Sequence, residues 1–174
     1  KRYMTDDRHY FTTVDGQFGN LTLVATDRGL RALLWPDDSA SRVPLPSELV
    51  ADHNHSVLAT ARLQVEEYLS SDRTEFDLKF DLRGTEFQQE VWLGLASIAL
   101  GETSTYGELA MRIGRRKAIR AVGAAVGRNP ISIILPCHRV IGASGDLTGF
   151  AGGIETKRSM LAFEGAEIGC EDRT

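Results

Sequence analysis

Cysteines and long hydrophobic runs are both scarce in this chain of 174 residues. No apolar stretch approaches the roughly 20 residues that a membrane-spanning helix requires, so we expect no membrane partner. No signal-peptide pattern opens the chain. Hydrophobic residues make up 42% and charged residues 25% of the sequence. These proportions are ordinary for a globular protein of one large or two small domains.

Only two cysteines occur, Cys137 and Cys170. They could pair in principle, but Cys137 lies in an apolar segment and Cys170 in a polar one. We therefore interpret both as reduced and the protein as cytoplasmic. The four histidines show no close ligand spacing with these cysteines, which argues against a zinc site. We expect neither a metal ion nor a cofactor.

The net charge of -4 argues against a nucleic-acid partner only when it is taken over the whole chain. Residues 1–100 carry 10 Lys+Arg and 16 Asp+Glu, a net of -6, whereas residues 101–160 carry 9 Lys+Arg and 4 Asp+Glu, a net of +5. This asymmetry indicates an acidic scaffold followed by a basic segment that suits a nucleic acid. A solvated charged face is the alternative.

Residues 1–82 are predicted to form a small α/β domain. Short β-rich runs alternate with turns, which is typical of an antiparallel meander. Leu58, Ala61 and Val65 recur at helical spacing. The predicted elements are strands over residues 9–14, 20–25, 31–35 and 75–82, a loop over 36–50 and a helix over 58–69.

Residues 83–174 are predicted to form a second, mainly helical domain. Thr85 can cap its first helix. Two short helices over residues 106–113 and 117–126, separated by a turn that contains Gly114, have the layout of a helix-turn-helix. A last helix is predicted over residues 157–164.

The segment IILPCHRV, residues 133–140, places a histidine directly after a cysteine at the end of an apolar run. A thiolate is a strong nucleophile, and an imidazole is the usual base that generates it. The run predicts a buried strand that ends at Cys137, where a loop begins. On these residues alone, a cysteine that serves as a small buried hydrophobe remains an alternative.

Several short motifs occur together in one order: RAVG at residues 120–123, NP at 129–130, PCHRV at 136–140 and GG at 152–153. In this order and spacing they resemble the O6-alkylguanine-DNA alkyltransferases, also called methylated-DNA–protein-cysteine methyltransferases. The resemblance is strong over residues 84–166 and weak over the first 82. It implies a small RNase H-like α/β domain, with antiparallel strands and a helix, followed by a winged-helix-like domain.

The resemblance implies DNA repair by direct and irreversible transfer of an alkyl group to Cys137. The substrates would be O6-alkylguanine and O4-alkylthymine, flipped out of double-stranded DNA that the protein binds through the minor groove. Because the thioether product is stable, each molecule would act once. The protein would be a monomer in solution, and cooperative binding along DNA is left open.

Individual residues take roles by the same resemblance. Cys137 would pass its proton through a bound water to His138, which Glu164 supports. Asn129 would order the active-site turn, and Arg120 would fill the gap left by the flipped base. The other implied DNA contacts are Tyr106, Gly107, Gln88, Arg115 and Ala143, and the implied substrate pocket consists of Tyr106, Val140, Phe150 and Ala151.

These residues also have plainer interpretations. Glu164 would be a solvated charge at a helix end, and Asn129 an ordinary turn residue before a proline. Arg120 would be one more solvated helix charge, and Tyr106 a half-buried core aromatic. Phe150 stands where many members of the family have a tyrosine, which leaves the preference among alkyl groups open.

Two other functions fit parts of the sequence. A cysteine hydrolase could use Cys137 and His138, but it would need an oxyanion hole, for which the sequence offers no separate support. A protein that binds damaged DNA without reacting would need no nucleophile at position 137.

Overall fold

The computed structural model describes residues 7–168. Cys170, which we interpret as reduced, lies outside the described residues. Within residues 7–168, no helix has both the length and the apolar character needed to cross a membrane.

The first half of the chain forms a four-stranded sheet with one helix packed on it. Two tight hairpins make the predicted antiparallel meander, and a short fourth strand pairs with the first in parallel. Leu21, Leu23 and Leu33 are buried beneath helix residues Leu58 and Val65. The elements are β1 (Tyr10–Gly16), β2 (Gly19–Thr26), β3 (Gly29–Leu34), β4 (Val50–Ala51) and α1 (Ser56–Leu69), and the strand order is β3-β2-β1-β4.

The predicted strand over residues 75–82 is wrong in extent. Only Phe80 forms a bridge, to Leu30 in β3. Before it, the Gln64 side chain accepts a hydrogen bond from the Asp77 amide at 2.9 Å and donates one to the Asp77 carbonyl at 3.0 Å. These two bonds replace those of a neighbouring strand. The same edge of β3 also binds a segment of the second half, because the Leu33 amide donates to the Pro130 carbonyl at 2.9 Å. One edge of this sheet therefore binds two distant segments of the chain.

As far as residue 168, the second half contains four α-helices around a pair of short parallel strands. Thr85 and Thr105 each close a capping box, with Gln88 and Glu108 respectively, which fixes where two helices begin. Gly114, at φ 74°, makes the turn between the two helices of the predicted helix-turn-helix. The elements are α2 (Glu86–Leu95), β5 (Ser104–Thr105), α3 (Tyr106–Arg112), α4 (Ile119–Gly127), β6 (Val140–Ile141) and α5 (Ile154–Phe163).

The apolar run before Cys137 is buried, but it is not the predicted strand. Ile131 forms a single bridge to Leu33 of β3, residues 132–134 form a turn, and Cys137–Arg139 is a short 3₁₀ helix. The side chain of Asn129 binds the Leu135 carbonyl at 2.7 Å and the Ile131 amide at 3.1 Å. Because one side chain satisfies these backbone groups, the segment needs no strand partner beyond Ile131. The chain is therefore not extended at Cys137.

Candidate active site

Cys137 lies at the start of the 3₁₀ helix, with only 7% of its surface exposed. It faces a cavity of about 260 Å³ formed between the two halves of the chain. This cavity brings together five residues that the sequence predicted for the site. Its lining consists of Arg42, Tyr106, Gly123, Val126, Gly127, Asn129, Ser132, Cys137, Gly149, Phe150 and Ala151.

Burial raises the pKa of the Cys137 thiol, because a thiolate is poorly solvated there. The amide of Asn129 opposes this effect, followed by the charges of Arg42 and Lys157 and by the hydroxyl of Ser132. The thiol therefore stays protonated at rest, and a base must remove its proton before it can attack.

His138 is the base that the site offers. It is 0% exposed, and its Nε2 lies 2.9 Å from Glu164 Oε2. Since a carboxylate only accepts, we assign the ring proton to Nε2. Nδ1 is then an acceptor, and within residues 7–168 this buried atom has no partner. Burial lowers the pKa of His138, so the ring is neutral and able to accept a proton.

Glu164 is not the solvated helix-end charge of the plainer interpretation. Its side chain is 0% exposed and receives hydrogen bonds from three residues. Arg139 donates to Oε1 at 2.8 Å and to Oε2 at 3.0 Å, and the Tyr68 hydroxyl donates to Oε2 at 2.6 Å. The arginine balances the carboxylate charge, so the histidine rests against a neutral, fully bonded pair.

The pKa of Glu164 reflects these contacts. Burial by itself would raise it, but hydrogen bonds from His138 and Arg139, together with the charge of the arginine, hold the pKa at about 2. The pKa of a glutamate in an unfolded chain is about 4.3. Because the folded pKa is the lower one, the stability that ionised Glu164 contributes is complete above about pH 4.3 and is lost as the pH falls toward 2.

We expect Glu164→Gln to lower the free energy of unfolding near neutral pH by about 3 kcal/mol, because it leaves Arg139 buried beside an uncharged group. The loss of stability on acidification should also become shallower. Urea unfolding of both proteins at several pH values measures both effects. Glu155→Gln is the control: its carboxylate is 86% exposed and pairs with Arg158, so the change should stay below about 1 kcal/mol. Equal stability of Glu164→Gln and the original protein would contradict the assignment.

Several residues that the sequence did not indicate also reach the site, Arg139 among them. Tyr68 comes from α1 and Arg42 from the loop after β3; Arg42 donates to the Asn129 carbonyl. Lys157 of α5 is 1% exposed and donates to the Val140 carbonyl at 2.6 Å. Lys157 shares one helix face with Met160 and Leu161, a spacing that could have indicated its burial. No sequence signal pointed to Tyr68 or Arg42.

The basic segment has fewer available charges than its composition suggested. Arg139 and Lys157 are buried and bonded inside the protein. The remaining seven basic residues of that segment are all exposed: Arg112, Arg115, Arg116, Lys117, Arg120, Arg128 and Arg158.

The residues expected to contact DNA lie at different places on this surface. Arg120 is exposed on α4, three residues before Gly123, which lines the cavity. Arg115 is bound to Glu90 at 3.0 Å, and the Gln88 side chain is engaged in the α2 cap. Gly107 is half-buried in the first turn of α3, and Ala143 is exposed in the loop after β6.

The wall of the cavity is held from both halves of the chain. The hydroxyls of Tyr106 and Thr148 are 2.5 Å apart. Trp35 packs edge-to-face on Phe150, with ring centroids 5.3 Å apart. Gly152 touches the same tryptophan so closely that a Cβ would lie 2.8 Å from it. Val140 is buried beside the cavity but does not line it. Tyr106 is thus a pocket residue rather than only a core aromatic.

Comparison with known families gives two matches. The family described as "6-O-methylguanine DNA methyltransferase, DNA binding domain" matches residues 86–166. The one described as "6-O-methylguanine DNA methyltransferase, ribonuclease-like domain" matches residues 9–82.

Individual proteins of known name are similar over nearly the whole chain. A methylated-DNA–protein-cysteine methyltransferase of Mycolicibacterium paratuberculosis is 47% identical over 88% of this chain and 91% of its own length. One from Methanosarcina acetivorans is 41% identical over 90% of this chain and 99% of its own. The crystal structure of Mycobacterium tuberculosis OGT in complex with DNA matches with a TM-score of 0.80 and 44% identity, over 90% of this chain and 92% of that one.

Proposed function

The chain belongs to the 6-O-methylguanine DNA methyltransferase family, and we propose that Cys137 is the residue that takes up the alkyl group. The protein repairs alkylated DNA by direct transfer to one of its own cysteines. The observation that carries the assignment to Cys137 is its position at the cavity, with the His138–Glu164 pair behind it.

Proton transfer precedes the attack. The Cys137 proton moves to Nδ1 of His138, the buried atom without a partner, through one bridging water. Glu164 and Arg139 hold the ring in the tautomer that accepts it. The thiolate then displaces the alkyl carbon from guanine O6, and the electron pair of the broken bond leaves with the base. The base needs a proton as it departs, and the protonated His138 can return one through the same water.

The double-stranded substrate must deliver its base into a cavity, so flipping comes first. Arg120 can occupy the gap in the stack, and the small residues of α4 allow its backbone to approach a minor groove closely. The exposed basic residues supply sequence-independent phosphate contacts. Of the implied DNA contacts, Gly107 and Ala143 would bind DNA through their backbone. Gln88 and Arg115 also stabilise α2, and their remaining polar atoms would bind DNA.

We infer that the pocket accepts O6-alkylguanine and O4-alkylthymine. Tyr106 and Ala151, which line the cavity, border the base. We also propose a division into two domains between residues 82 and 83, which the matched ranges 9–82 and 86–166 support. The protein acts as a monomer in the cytoplasm, once per molecule.

Mass spectrometry of the protein mixed with DNA that contains O6-methylguanine tests the proposal. We expect one added methyl group per molecule, mapped to Cys137 and stable over time. A hydrolase would turn over without a lasting adduct, and a damage-binding protein would give neither product nor adduct. An adduct on Cys170 would move the assignment to another residue.

A further inference from the structure

One polar group in the cavity has no role in the proton relay. The hydroxyl oxygen of Ser132 is buried, and the residue is 0% exposed. Within residues 7–168 this oxygen has no hydrogen-bond partner. A buried hydroxyl without a partner is disfavoured and is rare in folded proteins unless it serves a function.

The neighbouring polar side chains of the cavity are already bonded. Asn129 binds two backbone groups of the turn, and Arg42 binds Asp38 and the Asn129 carbonyl. The Tyr106 hydroxyl is 2.5 Å from that of Thr148. Ser132 therefore holds an uncommitted donor on the wall that it shares with Cys137.

The backbone next to Ser132 is strained. Ile133 has φ 72°, a left-handed conformation that β-branched residues almost never adopt. Around it, the Ile134 amide donates to the Ser132 carbonyl at 2.9 Å, which closes a three-residue turn. Such strain persists only where the surroundings enforce it, and it concentrates at functional sites. Ser132, directly before Ile133, lines the cavity.

We propose that the Ser132 hydroxyl donates a hydrogen bond to the Cys137 thiolate once His138 has taken the proton. A thiolate in a buried site needs donors, and an O–H to an anion gives a strong one. After the S–C bond forms and the C–O6 bond breaks, sulfur is an uncharged thioether and a poor acceptor. The bond therefore stabilises the reactive state and not the alkylated product. The inference rests on the proposed function of Cys137 as the acceptor.

Other groups also act on this sulfur and must be separated from Ser132. Arg42 from the loop after β3 and Lys157 from α5 bring positive charge, and Asn129 brings an amide. His138 lies next to Cys137 on the same 3₁₀ helix. None of these groups changes when only the Ser132 hydroxyl is removed, so a single substitution isolates it.

The experiment uses the full chain with Cys170→Ser, so that iodoacetamide alkylates only Cys137. The rate of alkylation is measured against pH to obtain the midpoint of thiol ionisation. We expect Ser132→Ala to move the midpoint up by about one pH unit, the shift typical of losing a hydrogen bond to a charged group. Ser132→Thr, which keeps the hydroxyl, should stay near the original midpoint.

Thr and Val have the same shape, so Ser132→Thr and Ser132→Val form a matched pair that separates the hydroxyl from packing. This pair also decides the matter if the alanine variant fails to fold in a thermal-unfolding check. A midpoint that is equal in the Ala and original proteins, or in the Thr and Val variants, overturns the inference. The same proteins are tested for adduct formation with methylated DNA. A midpoint shift without any adduct in the original protein would leave Ser132 as a donor and overturn the proposed function instead.

Discussion

Cys137→Ser should abolish alkyl transfer while the protein still folds and binds DNA. A serine hydroxyl is barely ionised near neutral pH, and in a cavity that disfavours even the thiolate it ionises less still. The substitution changes one atom, so the buried surroundings stay filled. Transfer is followed by mass spectrometry with DNA that contains O6-methylguanine, and binding is followed by a mobility shift with the same duplex.

Cys170→Ser is the matched control, because it makes the same chemical change at the other cysteine. We expect that variant to transfer the methyl group at the original rate. Measurable transfer by Cys137→Ser would show that sulfur at this position is not the acceptor, and the assignment would then fail.

Arg120→Ala should slow transfer from duplex DNA by about a hundredfold and leave transfer from the free modified base nearly unchanged. Unstacking and unpairing a base costs a few kcal/mol, and the side chain that fills the gap offsets that cost. The free base needs no flipping, so it reports on the cavity alone. A lesion placed in a mismatch should give an intermediate rate. The measurement is the second-order rate constant of both proteins on all three substrates.

Arg128→Ala provides the control for a lost phosphate contact, since Arg128 is also exposed and lies at the end of the same helix. Loss of a phosphate contact weakens binding to all DNA and is compensated by lower salt. If Arg120→Ala behaves in that way, or slows both substrates equally, its role in flipping has to be abandoned.

Local signals in the sequence predicted much of the fold. The cap at Thr85, the glycine turn at Gly114 and the hairpins of the first sheet depend on residues close together in the chain. The pairing of Cys137 with His138 was predictable for the same reason. Such features can be predicted without knowing which residues pack against them.

The errors arose where a side chain from elsewhere satisfies the backbone. Residues 131–137 have the composition of a buried strand, but Asn129 supplies the partners that a strand would have found in a sheet. Residues 75–79 fail as a strand because Gln64 does the same for Asp77. The burial of Glu164 was equally hidden, because Tyr68, one of the groups that enclose it, lies 96 residues away in the chain.

The hydrogen bond between Tyr68 and Glu164 also constrains how the two halves of such a protein can evolve. A mutation at position 68 affects fitness through the activity of a site that lies in the other half of the chain. The same holds for Arg42, which is bound to the carbonyl of Asn129. Recombination that exchanges first halves between diverged relatives would separate these partners, even when each half folds well. The two halves are therefore expected to evolve as a matched set, although they resemble separate families of fold.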